Sequence, residues 1–398
     1  MNRNNTIWSH RRVAALAVAS LLAVGCHQAA LTANLPESPS MPSAPPQHLT
    51  SANIAALRDP NRTLDPANPY LKMTGHFVAR ARPIVAKSMA DPQGKAEGSE
   101  VFWLVWDSVA PQGAHRHDAA FRTEALAALD RWTRQLEAKP AGYWDILAAL
   151  EAVSLVSRNG QDAAQVKVWI ERLRPSIAAN YRCNEEQKDW PSWAPNTLFQ
   201  STAILTLAAD LFQSARPNDA DPAKWRAMAQ VCLRRALPHQ LPGGAFSYIR
   251  DSGPDPVYYN FDSTFLGRYW QLSGDPIALQ ALQRMAGQSR SVTRCGMLDA
   301  VASPWWKHIW GTGGPYHGPE ITATLSRDPL TKGVATLRQT VGQPFYFTYY
   351  PMLFWDPSIP TKEISDRCEF DGNANGPALR AGGFDVVLPG RPWTDTTF

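Results

Sequence analysis

The chain is short of most features that would announce a chemistry. It contains no GxSxG, no Walker loop, no HExxH and no dinucleotide fingerprint, so nucleophile-elbow hydrolases, nucleotide binders and zinc proteases have no motif to rest on. Neither sign of charge is in large excess. There are 39 Lys+Arg against 35 Asp+Glu. Arg3, Arg11 and Arg12 fall in an acid-free N-terminal segment, and setting residues 1–25 aside leaves 36 against 35. That balance gives no bulk basicity for nucleic acid. Cysteine is scarce, and no two of the five lie close enough in sequence to suggest a zinc site. The N-terminal apolar run, VAALAVASLLAVG, is short of the roughly 20 residues that a membrane span needs. No exact short repeat occurs, which argues against a regular solenoid.

What is present begins with an export signal. A basic head, a short apolar core and a small residue before the cut describe such a segment over 1–25. Ala23-Val24-Gly25-Cys26 resembles a bacterial lipobox, which implies that Cys26 is lipidated and anchors the mature chain in a membrane. His27 stands where an Asp often retains lipoproteins at the inner membrane, so the resemblance points to the outer membrane, facing the periplasm or the cell surface. Residues 26–60 read as a Pro-rich tether, and 61–398 as one catalytic domain. In an oxidising compartment Cys183, Cys232, Cys295 and Cys368 are expected to form two disulfides, with three pairings open.

From 70 to 290 the pattern is helical, with about eight or nine helices and no clear strand between them. Phe121, Ala125, Leu129, Trp132 and Leu136 make one apolar stripe. Ile146, Leu147, Leu150 and Val153 share a face, and TLFQSTAILTLAADLF is apolar nearly all round. Asp221-Pro222 and Asp275-Pro276 look like N-caps followed by Pro at the first helical position. The expected fold is all-α, built of stacked antiparallel helical hairpins. After 291 the texture turns Gly-, Pro- and Trp-rich. QPFYFTYYPMLFW reads as a buried helix or a strand pair, and 356–398 as an irregular segment.

At 196–290, PNTLFQSTAILTLAADLF, GGAFSYIRDSG and YYNFDSTFLGRYWQLSGDP follow one another. Inner helices ending in Gly- and aromatic-rich loops resemble the (α/α) toroid polysaccharide lyases and hydrolases. The resemblance implies an incomplete toroid whose loops at one end line a sugar groove. The Asn-His pair of some alginate lyases of this class is absent.

A sugar groove needs flat apolar faces with polar rims. Trp190 and Trp193 in KDWPSWAPN, and Trp305 and Trp306 in SPWWKHIWGTGG, suit it, as do Tyr258 and Tyr316. Cleavage of a uronate polymer by β-elimination needs a carboxylate neutraliser, a base for the C5 proton and an acid for the leaving oxygen. Arg250, Tyr258, Tyr259 and Asn260 lie within eleven residues, and GGPYHGPE supplies His317. The reading favours His317 or Tyr259 as base, with Asn260 or Arg250 on the carboxylate. A tyrosine base near neutrality needs its pKa lowered by about three units, roughly 4 kcal/mol; an imidazole does not. Hydrolysis is the alternative and needs two carboxylates about 5 or 6.5–9.5 Å apart. Asp145, Asp262 and Glu320 each sit beside aromatics at a predicted helix start. A non-catalytic lipoprotein that holds an exopolysaccharide during export is a third reading. HRHD (115–118) could ligate a metal but reads better as a helix cap. No cofactor, metal or nucleic-acid partner is expected, and the chain is expected to act as a monomer.

Overall fold

Side-chain caps set four of the helix starts in this chain. The computed structural model describes residues 48–387, except 61, 92–93, 95–97, 141–142, 160–161, 187–193, 248–255, 292–317, 339–345, 364, 372–375 and 382–383. Thr50 and Asn53 form a capping box at α1 (Ser51–Arg58). Asn68 accepts from the Tyr70 and Leu71 amides and opens α2 (Pro69–Ala90). Helix α3 spans Gly98–Val109. Asp118, the last residue of HRHD, caps α4 (Ala119–Ala138) through the Ala120 and Phe121 amides. There follow α5 (Tyr143–Arg158), α6 (Ala163–Glu186), α7 (Pro195–Ala215), α8 (Asp221–Ala236), α9 (Pro256–Ser273) and α10 (Pro276–Met285). Asp275 caps α10 as expected. Asp221 does not cap α8. It lies inside the first turn, donates its backbone N–H to Asp219 and takes Arg174 on its carboxylate. Helices α11 (Gly318–Ser326), α12 (Pro329–Arg338) and α13 (Tyr349–Phe354) complete the helical set.

The fold is all-α, with one small addition. Strands β1 (Arg367–Asp371), β2 (Gly376–Ala381) and β3 (Phe384–Val387) form an antiparallel sheet in that order. The tail expected to be irregular is therefore partly a meander. Gly382-Gly383 between two strand-like runs was the hairpin signal for it. The described part of QPFYFTYYPMLFW is a 3₁₀ turn (Tyr346–Thr348) running into the buried helix α13, and holds no strand. The folded body also starts earlier than residue 61. Leu57 of α1 is buried, and Arg58 donates to the Gln271 carbonyl at 3.2 Å.

The helices sort into two kinds. Helices α4, α6 and α8 are amphipathic, with one buried stripe; in α4 it is the expected Phe121, Ala125, Leu129, Trp132, Leu136. By contrast, α3, α5, α7 and α11 are buried almost all round, including every residue from Ile146 to Val156. A helix apolar on every side must be surrounded by other helices. Here α3 packs on α5, α5 on α7, α7 on α9, α9 on α11, α11 on α13, α13 on α2, and α2 back on α3. The amphipathic helices flank this circuit, with α4 against α6 and α6 against α8.

The turn at Gly243-Gly244 shows why that connection needs glycine. Gly244 has φ 96°, and a Cβ there would come within 1.8 Å of the Arg284 carbonyl oxygen. Cys183, Cys232 and Cys368 form no disulfide with one another, so the two expected disulfides are not formed among them; Cys295 lies outside the described residues. Cys183 instead shares a hydrogen bond with the Tyr143 hydroxyl at 3.3 Å.

Candidate functional site

Alternate helices of successive antiparallel hairpins run the same way. The first turns of α5, α7, α9 and α11 therefore come to one end of the circuit. Two contacts fix the register of α5 against α9. The Trp144 ring lies 4.9 Å from Phe261, and seven residues further along both helices Glu151 meets Arg268 at 2.6 Å. Equal offsets in the same direction mean parallel helices in register.

Aromatic side chains floor this end. Trp144, Phe261, Phe265 and Phe347 are mutually in contact, with centroid separations of 4.9–6.1 Å. Tyr258 extends the cluster, 5.9 Å from Phe261. Phe265 and Phe347 are buried, whereas Trp144 is 40% exposed. A large indole left partly in water on a packed aromatic base is a ready platform for an amphipathic ligand.

Polar side chains neighbour the platform residues in the chain. Asp145 follows Trp144, and its Oδ1 would lie 3.0 Å from a Cβ placed on Gly98. Asp262 follows Phe261 and is buried. Asn260 Oδ1 accepts from the Gly318 backbone N–H at 3.1 Å, so the second turn of α9 touches the start of α11. No room is left between them: a Cβ on Gly318 would sit 2.2 Å from Ser263 Oγ.

Two candidates are held for structural ends. Tyr259 is fully buried and its hydroxyl pairs with Thr322 Oγ1 at 2.9 Å and with the Met285 carbonyl at 3.3 Å. Burial pushes that hydroxyl above its usual range, only partly opposed by Thr322. A base needs the reverse shift. Glu320 is buried with Lys332 on Oε1 and the Tyr70 hydroxyl on Oε2 at 3.2 Å, and so ties α11 to α12 and α2. Arg250, Tyr316, His317, Trp190, Trp193, Trp305, Trp306 and Cys26 lie outside the described residues.

The HRHD stretch is likewise engaged. His115 Nδ1 bonds buried Asp107, its ring stacks on Phe121 at 4.3 Å, and Asp118 caps α4. Among the described residues no three His, Cys, Asp or Glu side chains gather as a metal site, and no helix is long and apolar enough to cross a membrane.

Six residues at or behind this end were not singled out from the sequence. Asn196 and Gln200 in α7 lie on the same helical stripe as Leu207 and Leu211. Both are buried, and Asn196 Oδ1 and Gln200 Nε2 lack hydrogen-bond partners. The Tyr346 hydroxyl is also buried without a partner; burial raises its pKa, as do Glu151 and Asp145. Buried polar atoms left unpaired are costly. Behind the platform, Arg268 grips Glu151 with two hydrogen bonds, and Tyr350 donates to Glu151 at 3.3 Å. A sequence signal was available for Glu151, a single charged residue inside an otherwise apolar helical run.

Comparison with known proteins adds little. No family model matches the chain. The human dynein heavy chain domain-containing protein 1 is 31% identical over 105 residues, which are 24% of this chain and 2% of that protein. The chain thus spans about 2% of the length of the curated relative it matches.

Proposed function

We propose that this protein binds an acidic polysaccharide across the Trp144 end of the helical circuit and cleaves it by β-elimination. The circuit of alternate inner helices supports reading the scaffold as an (α/α) toroid. The observation that carries the reaction is the hydrogen bond from Gly318 N to Asn260 Oδ1. In this reading the Asn260 amide nitrogen donates to a uronate carboxylate, and His317 directly precedes Gly318 in the sequence. His317 takes the C5 proton, the C5 electron pair forms the C4–C5 double bond, and the C4–O bond breaks. The leaving oxygen is protonated, with Tyr258 as the donor. Arg250 shares the carboxylate with Asn260, and charge-assisted donors there make the C5 proton acidic. Tyr259 takes no part in proton transfer, because its hydroxyl is buried and bonded to Thr322.

Hydrolysis on the same scaffold is the second reading. It draws on Asp145 and Asp262, each directly following a member of the aromatic platform. The chain works as a lipoprotein anchored through Cys26 and facing the periplasm.

Incubating the purified protein with a panel of uronate polymers separates the chemistries. Elimination produces an unsaturated uronate that absorbs in the ultraviolet; hydrolysis produces reducing ends without that absorbance. Reducing ends alone would replace elimination by the Asp145 and Asp262 reading. Binding with neither signal would leave a non-catalytic polysaccharide-holding lipoprotein. Fatty-acid labelling in cells that is lost on Cys26→Ser tests the anchor.

A further inference from the structure

The circuit carries a second cavity at its other end. The last turns of α5, α7 and α9, together with α1, enclose a cleft of about 540 Å³, within the size range of small-molecule sites. The Glu151–Arg268 pair and Tyr350 stand between this cleft and the aromatic platform.

Charge in the cleft is only partly balanced. Arg268 is neutralised by Glu151, and Asp210 by Arg226 at 3.0 Å. Arg58 and Arg158 meet no carboxylate in the ion pairs of the described residues; they are held by carbonyls instead. Arg58 donates to Gln271 O at 3.2 Å and Leu272 O at 3.3 Å. Arg158 donates to Ser154 O at 3.3 Å, Pro60 O at 2.9 Å and the Tyr349 hydroxyl at 3.2 Å. A guanidinium has five N–H donors, so these bonds leave donors over on both. The same bonds cover carbonyls in the last turns of α5 and α9, whose negative helix ends would otherwise repel an anion. Ser154, Ser157 and Ser214 add hydroxyls, Asp59 adds a carboxylate, and Leu207 and Leu211 give an apolar wall.

We infer that this cleft is a second binding site, for a short acidic saccharide of one or two uronate units. The carboxylate is held by Arg58 and Arg158, the ring hydroxyls by the serines and Asp210, and one sugar face rests on Leu207 and Leu211. The choice of a uronate rests on the proposed polysaccharide substrate; the oxyanion site does not.

Calorimetry on the full chain tests this with glucuronate, a glucuronate-containing disaccharide, glucose and inorganic phosphate. Both uronates bind and glucose does not. Arg58→Ala, and Ser157→Trp, which fills the cleft while leaving the arginine–carbonyl bonds, each weaken uronate binding by about tenfold or more. Trp144→Ala leaves it unchanged. Absence of uronate binding overturns the site, as does binding that survives both cleft variants or disappears with Trp144→Ala. Phosphate binding without uronate binding overturns the ligand class. Thermal melts of Arg58→Ala and Ser157→Trp show that each is folded. Uronate binding here together with no cleavage of any polymer would count against the proposed reaction alone.

Discussion

Glu151 and Arg268 meet as a buried bidentate pair, with Nε–Oε1 at 2.6 Å and Nη2–Oε2 at 2.8 Å, although 117 residues separate them in the chain. Arg268 passes its third nitrogen to Gln271 at 2.6 Å, which in turn reaches the Leu57 carbonyl at 2.7 Å. One network therefore joins α1, α5 and α9. Removing one partner strands a buried charge. Arg268→Met or Glu151→Leu should each cost about 3–5 kcal/mol, and the double variant less than their sum. Urea denaturation of the three variants checks this, and additive losses would show that the pair is not coupled.

The platform should behave differently. Trp144 is 40% exposed, so Trp144→Ala should cost little stability. It should weaken polysaccharide affinity by about 1–3 kcal/mol, the range for a lost aromatic contact at a binding site. Titration with a uronate polymer, followed by intrinsic fluorescence in the wild type and by calorimetry in both, reads the difference. Equal affinities would remove Trp144 from the site.

Gly318→Ala probes the contact between α9 and α11. The new methyl would meet Ser263 Oγ at 2.2 Å and the Asn260 Cα at 3.1 Å. We expect kcat to fall with KM little changed, because the hydrogen bond that orients Asn260 is broken while the aromatic platform is untouched. Unchanged turnover in a folded Gly318→Ala protein would disconnect that hydrogen bond from the chemistry.

Acid should weaken the fold through outer-helix carboxylates. Burial raises the Asp130 carboxyl, but hydrogen bonds from Arg172, Trp169 and Arg134 outweigh it and hold the group below its usual value. Asp219 is lowered in the same direction, chiefly by Arg174. A carboxyl whose folded pKa lies below its unfolded value binds fewer protons when folded. Its stabilisation is complete above the unfolded value of about 4 and disappears as pH falls through the folded one. Denaturation midpoints should therefore hold steady at pH 5–7 and drop below about pH 4. Asp130→Asn should flatten that drop; an unaltered acid limb would count against Asp130 as a contributor.

Thiol chemistry should separate the cysteines. Cys368 is exposed, whereas Cys232 is buried and its thiol is pushed up to about 12 by that burial. Alkylation near pH 8 should modify Cys368 readily and Cys232 only after unfolding, since the thiolate is the reacting form. Mass spectrometry of native and denatured samples gives the order directly; a Cys183–Cys232 crosslink under non-reducing conditions would contradict it.

The amino-acid sequence by itself determined the helices, most of their caps and the distinction between striped and all-apolar segments. Those follow from local spacing: Asp118 and Asp275 cap the helices beside them, and a helix like α7 with no polar face has to be buried. Of the candidates read at helix starts, Asp145 and Tyr258 do stand in first turns of inner helices, whereas Asn260 and Asp262 lie in the second turn of α9. Tertiary structure alone decided what these groups meet. Tyr259 and Glu320 look like their neighbours in the sequence, yet their polar atoms are spent on Thr322, Lys332 and Tyr70. Trp144 was passed over for tryptophans in more irregular stretches, because exposure depends on what packs above a ring. Partners 58, 117 and 250 residues away, such as Gly318 for Asn260, Arg268 for Glu151 and Tyr70 for Glu320, are chosen by how the helices close on one another. No local periodicity encodes that closure.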